Sequence, residues 1–342
     1  MKEQEDSATG IQVIDFHAHI YPDGVPDFYQ LTGDAGWPTL VTGSDEGLIL
    51  RGGKPFRRVK PALWNLESRL GELDAAGIGV QVVSPVPVTL AYWAEPRAAG
   101  RYCRAVNDAI AVELANSRDR LRGLGAVPLQ DVGAAIAELE HIVNDLRLEG
   151  AEIGTVIEGR ELDHPDFRPF FEAAEQLGAV LAVHPMDGGT GVIRREGQPF
   201  DFGIGMLTDT ALAAGALVFG GVLDRHPGLR ILLAHGCGSY PWVYPRLRLG
   251  SQMVDGPKPE RLDELTRALW VDSLVFDPVH LGLLAHRFGA NHIVMGSDHP
   301  FVPGQLTAVP QLVRTAAATG AITEADIAAI LSSNALDLLT GC

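Results

Sequence analysis

The chain has 342 residues, 46% hydrophobic and 20% charged, with 27 basic against 43 acidic side chains and a net charge of −16. That size and balance suit a large α/β domain with a substantial core. They exclude a uniformly basic nucleic-acid surface or one drawn to anionic membranes, so neither partner is expected.

Residues 1–10 read as a flexible tail on one domain spanning 1–342, and the polar, acidic residues 1–6 do not resemble a secretion signal. An apolar run at 11–17 carries the segment Val13-Ile14-Asp15-Phe16-His17-Ala18-His19. On a strand, positions i and i+2 share a face with Cα atoms roughly 6.5 Å apart, so His17 and His19 can converge on one divalent cation. A Gly- and Pro-rich stretch follows at about 20–65, containing Trp37, Arg51, Lys54, Arg57, Arg58 and Lys60. A segment that long inside a domain is usually functional, and it reads as an inserted cap, with a small hairpin, over the mouth of the fold. Further apolar runs at 80–86, 123–128, 151–157, 179–184, 229–235, 269–275 and 292–298 alternate with helical patterns such as 96–117, 132–147, 166–177, 208–225 and 277–288. Pro165 and Asp166 mark a helix start and Gly178 its stop. Residues 305–342 read as extra C-terminal helices outside the barrel. Eight strands alternating with helices predict a (β/α)8 TIM barrel rather than a doubly wound sheet. No uncharged apolar run of about 18 residues suggests a membrane span. Cys103, Cys237 and Cys342 have no CxxC spacing and leave one cysteine unpaired, which points to a reducing cytoplasm rather than a disulfide scaffold.

Chemistry in such a barrel gathers at the C-terminal ends of the strands. His17 and His19, His184, His235 and Asp298 all fall at the ends of expected strands. Three imidazoles and a carboxylate suit one divalent metal: zinc, with manganese, iron or cobalt as alternatives. No organic cofactor is called for. His235 precedes Gly236, Cys237 and Gly238; it could be a further ligand, and is read as a general acid/base beside metal-bound water. Asp272 reads as a supporting residue rather than a ligand. Alternation points His299 away from Asp298, and no motif supports Cys237 as a nucleophile.

Taken together, the HxH pair, His184, His235 and Asp298 resemble the amidohydrolase superfamily. Narrower stretches resemble its 2-amino-3-carboxymuconate-6-semialdehyde decarboxylase-like branch: Phe56-Arg57-Arg58-Val59 with Ala62-Leu63-Trp64, then Val127-Pro128-Leu129-Gln130-Asp131, Val271-Asp272-Ser273 and Gly296-Ser297-Asp298-His299-Pro300-Phe301. The resemblance implies one metal, usually zinc, on His17, His19, His184 and Asp298, with His235 activating metal-bound water. It implies that Arg57, from the cap, grips a substrate carboxylate. It further implies that Arg246 reaches a neighbouring subunit's site in a homodimer or dimer-based oligomer. The implied activity is oxygen-independent decarboxylation of a carboxylated unsaturated or aromatic acid, semialdehyde-like or hydroxybenzoate-like. A metal-dependent hydrolase or hydratase, such as a lactonase, is the alternative on the same scaffold. Met186 and the Gly-Cys-Gly run at 236–238 depart from the branch's pattern at the mouth and leave the substrate open.

Overall fold

Thirteen strands organise the described residues of the computed structural model, which are 11–186, 193–195 and 197–341. The expected tail at 1–10 and Cys342 lie outside them. β1 (Val13–Ile20) is followed by β2 (Pro38–Val41), β3 (Gly47–Arg51) and β4 (Lys54–Val59), then β5 (Ile78–Pro85), β6 (Leu121–Ala126) and β7 (Gly150–Gly154). A two-stranded hairpin, β8 (Val156–Ile157) and β9 (Arg160–Glu161), precedes β10 (Val180–His184), β11 (Arg230–Leu233), β12 (Trp270–Asp272) and β13 (Ile293–Val294). The main sheet runs β1-β5-β6-β7-β10-β11-β12-β13, every pair parallel. Its two edges are drawn together by Phe16 N–H to the Met295 carbonyl, Asp298 N–H to the His17 carbonyl and His19 N–H to the His299 carbonyl, each 2.8 Å. This is the expected barrel.

Helices between the strands follow the sequence signals. Glu95 caps Pro96–Asn116 by accepting the Arg97 and Ala98 N–H groups. Gly178, at φ 61°, ends Arg168–Leu177 as a left-handed cap. The stretch Asp201–Phe219 is long and apolar enough to cross a membrane by length and composition alone (mean hydropathy 1.6). Here it serves the barrel's outer layer, burying Ala213, Ala214, Leu217 and Val218.

Ile14, Phe16, Val82, Leu124, Val180, Leu232 and Val294 fill the barrel interior as one apolar plug. Ala335 and Leu338, from the final helix Asn334–Thr340, join that same cluster. The last helix therefore closes one end of the barrel instead of packing wholly outside it.

One irregularity positions the site. A regular strand would put Ile14 and Phe16 on one face and His17 and His19 on the other. The pairing of β1 with β5 shifts register between Asp15 and Ala18. A shift of this kind re-aims side chains, so the apolar residues below it and the histidines above it both face inward.

Residues 20–65 form more than a hairpin: a short helix (Phe28–Thr32) and the three-stranded antiparallel sheet β2-β3-β4. The insert is anchored by an apolar cluster of Tyr21, Ile49, Val59, Leu63 and Val86, with Phe301 packed against it.

Candidate active site

β1 carries His17 and His19 within its length rather than at its end, β10 ends on His184, and Asp298 follows β13 on a left-handed backbone at φ 55°. All four are buried, and one ligand-type atom from each lies within 4.8 Å of the others. His17 Nε2 is 3.3 Å from His19 Nε2. Asp298 Oδ1 is 3.3 Å from His19 Nε2 and 4.0 Å from His17 Nε2. Ligands roughly 2.1 Å from a tetrahedral zinc stand about 3.4 Å from one another, so the spacing fits one ion.

The other nitrogen of each imidazole is engaged outside the cluster. His17 Nδ1–H donates to Asp272 Oδ2 at 2.6 Å, and His184 Nδ1–H donates to the Pro185 carbonyl at 2.7 Å. His19 Nδ1 faces Ser84 Oγ at 3.2 Å and the Pro85 carbonyl at 3.3 Å. The Nε2 lone pairs are left facing one another, and His184 Nε2 has no hydrogen-bond partner among the described residues. Opposed, buried lone pairs are unfavourable by themselves and favourable around a cation.

The electrostatics follow from this crowding. Burial pulls the His17 pKa down, but the Asp272 hydrogen bond and charge, with Asp298 and Glu152, outweigh it and lift it to about 9. Burial lowers His19. Burial and the neighbouring imidazoles put His184 well below the usual histidine range. Burial would raise Asp298, yet its contacts with His19 and His235 hold it well below the usual carboxylate range.

His235 stands just beyond β11 at φ 56°, and Gly236, Cys237 and Gly238 also have positive φ. Asp272 fixes this turn: Oδ2 accepts the His235 N–H at 2.7 Å, while Oδ1 accepts those of Gly236 at 2.9 Å and Leu274 at 3.0 Å. The His235 ring centroid is 4.9 Å from that of His184 and 5.2 Å from that of His17. Its Nε2 is 3.9 Å from Asp298 Oδ2, and neither ring nitrogen has a hydrogen-bond partner among the described residues. Cys237 is buried, and burial with the nearby Asp272 charge pushes its thiol far above the reactive range.

Arg57, on β4, lays its guanidinium 4.2 Å above the Phe301 ring, whose centroid is 5.5 Å from that of His19. Packing lowers its pKa against the pull of Asp298. Arg246 is not brought to this centre. It lies exposed on the helix Tyr240–Ser251, lining a groove of about 620 Å³ with Phe219, Val243 and Val254. His299 reaches Glu72 at 2.9 Å; Asp298 lies beyond β13 at φ 55°, so a turn and not strand alternation separates the two side chains.

Residues 14–340 match the amidohydrolase family model. The chain belongs to the amidohydrolase family. The 2-amino-3-carboxymuconate-6-semialdehyde decarboxylase of Dictyostelium discoideum is 34% identical to this amidohydrolase, over 86% of this chain and 84% of its own. Among solved structures, the apo form of Metarhizium anisopliae IDCase superposes with a TM-score of 0.80 at 21% identity, covering 96% of this chain and 97% of that one. A dihydroxybenzoic acid decarboxylase from Polaromonas sp. JS666, with bound manganese and the inhibitor 2-nitroresorcinol, superposes at 0.70 and 20% identity over 96% and 97% of the two chains.

Three residues of this amidohydrolase's site escaped the sequence reading. Glu152 on β7 is 2% exposed, and its Oε2 lies 3.7 Å from His19 Nδ1. Burial raises its pKa to about 8, against the Ser84 hydrogen bond and the His17 charge. A lone acid inside the apolar run 151–157 was the available signal. Ser84 carried no such mark, being an ordinary residue in a strand, and Phe301 stood in the stretch 296–301 without a role assigned to it.

Proposed function

We propose that this protein is a divalent-metal-dependent, oxygen-independent decarboxylase of a carboxylated unsaturated or aromatic acid, semialdehyde-like or hydroxybenzoate-like. The observation that carries the reading is the contrast among four clustered imidazoles. Three are fixed through Nδ1 with Nε2 turned inward, while among the described residues neither ring nitrogen of His235 has a hydrogen-bond partner, its Nε2 standing 3.9 Å from Asp298 Oδ2. His17, His19, His184 and Asp298 would hold the metal, zinc first and manganese second; a manganese-bound structural neighbour keeps the second in view. When bound, a divalent ion supplies Lewis-acid polarisation of a substrate oxygen.

Arg57 holds a substrate carboxylate, its planar fork matching the two oxygens, and Phe301 fixes its approach. His235 carries the proton. As the C–C bond to the carboxylate breaks, its electron pair stays on the ring or chain carbon, which takes the proton as CO2 departs. The named decarboxylase relative favours this outcome over simple water addition.

A second copy supports the site through the helix bearing Arg246. Trp242, Leu249, Met253 and Val254 are all exposed on or just beyond it, Trp242 at 80%. An apolar face of this kind suits a homodimer. Cys103 and Cys237 are free, buried thiols, which suits residence in the cytoplasm.

Metal analysis of the purified protein, coupled to CO2 release across carboxymuconate semialdehydes and hydroxybenzoates, tests the reading. A stoichiometric divalent metal and CO2 from members of the panel are expected. Water addition or ring opening without CO2 would replace the decarboxylase with the hydrolase or hydratase.

A further inference from the structure

The three ligand imidazoles are not supported equally. His17 and His184 each have one short acceptor on Nδ1, at 2.6 and 2.7 Å, whereas His19 has only the longer contacts with Ser84 and the Pro85 carbonyl. Ser84 is not a terminal acceptor. Its hydroxyl donates to Glu152 Oε2 at 2.5 Å, which leaves the oxygen's lone pairs turned to the His19 N–H.

We infer that Glu152, acting through Ser84, is a positioning residue that keeps the His19 proton on Nδ1 and thereby sets how tightly the centre holds a divalent ion. The inference rests on the metal-site reading of His17, His19, His184 and Asp298.

Among the described residues Ser84 is the one hydrogen-bond partner of the Glu152 carboxyl, with His19 Nδ1 beyond it at 3.7 Å. In the sheet it pairs with Ala126 on β6 and Ala182 on β10, whose small side chains make room for it. Ala182 packs with the apolar plug below. Gly154, the next inward position on β7, is covered by Met186, whose Sδ lies 2.6 Å from where a Cβ would stand. Glu152 therefore serves the centre from beneath. Its Oε1 has no hydrogen-bond partner among the described residues, and a buried carboxyl oxygen is costly unless it is hydrogen-bonded or paired with a charge. A cation in the cup opposes that cost by attraction. The chain of donors runs one way: His19 Nδ1–H to Ser84 Oγ, Ser84 O–H to Glu152. With the proton held on Nδ1, Nε2 is the free base that a metal requires.

The test compares zinc affinity, by chelator competition on metal-free protein, for the wild type, Ser84→Ala, Glu152→Met, their double variant and Glu152→Gln. Each of the first two should bind zinc about 10–100-fold more weakly. The double variant should be no weaker than the weaker single, because both changes break one chain. Glu152→Gln keeps an acceptor oxygen and should recover most of the loss. Nitrogen-15 ring spectra of the zinc-loaded wild type should show the His19 proton on Nδ1, with that signal displaced in Ser84→Ala. Unchanged affinities, or losses that multiply in the double variant, overturn the relay. Should Glu152→Met fail to fold, Ser84→Ala decides alone, since it removes a single oxygen. A wild type that binds no zinc, manganese or iron instead sinks the metal reading beneath it.

Discussion

Replacing Asp272 by Asn probes the site at its most connected point. The carboxylate is fully buried and accepts four N–H groups: His17 Nδ1 and His235 N on Oδ2, Gly236 N and Leu274 N on Oδ1. An amide supplies one oxygen and one NH2 group, so either orientation sets two donors against donors. Each orphaned buried donor costs about 1–3 kcal/mol, giving about 2–6 kcal/mol in all. For a chain of this length that corresponds to a fall in Tm of about 3–8 °C. The orientation that spares His17 abandons Gly236 and Leu274, and so loosens the turn presenting His235. The opposite orientation frees the His17 ring and should weaken zinc binding about 10–100-fold. Thermal unfolding of the metal-loaded protein and zinc competition read the two outcomes. A variant matching its parent in both Tm and zinc affinity would show that Asp272 organises neither residue.

His235→Ala should retain a full complement of metal while losing most turnover; normal kcat with normal metal content contradicts the proton-carrying role. Arg57→Ala should lower kcat/KM at unchanged metal content, and an unaltered value argues against a substrate contact. Mixing inactive Arg57→Ala and Arg246→Ala subunits should restore part of the activity through hybrid dimers. No recovery, with exchange verified, rules out a shared site. In the metal-free protein His17 is protonated below about 9, and that proton must leave before zinc enters. Apparent zinc affinity should therefore rise by about tenfold per pH unit, for one proton, up to that point. A flat profile between pH 6 and 8 would count against the His17–Asp272 pairing.

The barrel was legible because each strand is an apolar run bounded by polar or Gly/Pro breaks, and runs such as 179–184 and 292–298 end on the very groups, His184 and Asp298, that meet in space. What escaped depended on geometry that side-chain patterning does not encode. The register shift between Asp15 and Ala18 lets Phe16 and His17 both face inward, and strict alternation cannot represent that. The cap's third strand was hidden because β4, Lys54-Pro55-Phe56-Arg57-Arg58-Val59, is mostly exposed and lacks an apolar face. Glu152 reads as an isolated acid until the fold brings Ser84 and His19 against it from strands 65 or more residues away. Arg246 shows the converse. Its assignment concerns a second copy, and within one chain it simply lies exposed.

Phe301 touches both halves of the site, packing near the His19 ring and under the Arg57 guanidinium. It also follows Asp298 by only three residues, although Arg57 belongs to a segment more than 240 positions earlier in the chain. The cap is thus not a separable accessory that can be exchanged to change substrate. A graft of residues 20–65 from a relative would import an arginine without the ring it rests on, and a change at Phe301 made to suit the graft would be felt at His19. Recombination in this scaffold should move the cap and the Asp298–Phe301 turn as a single inherited unit.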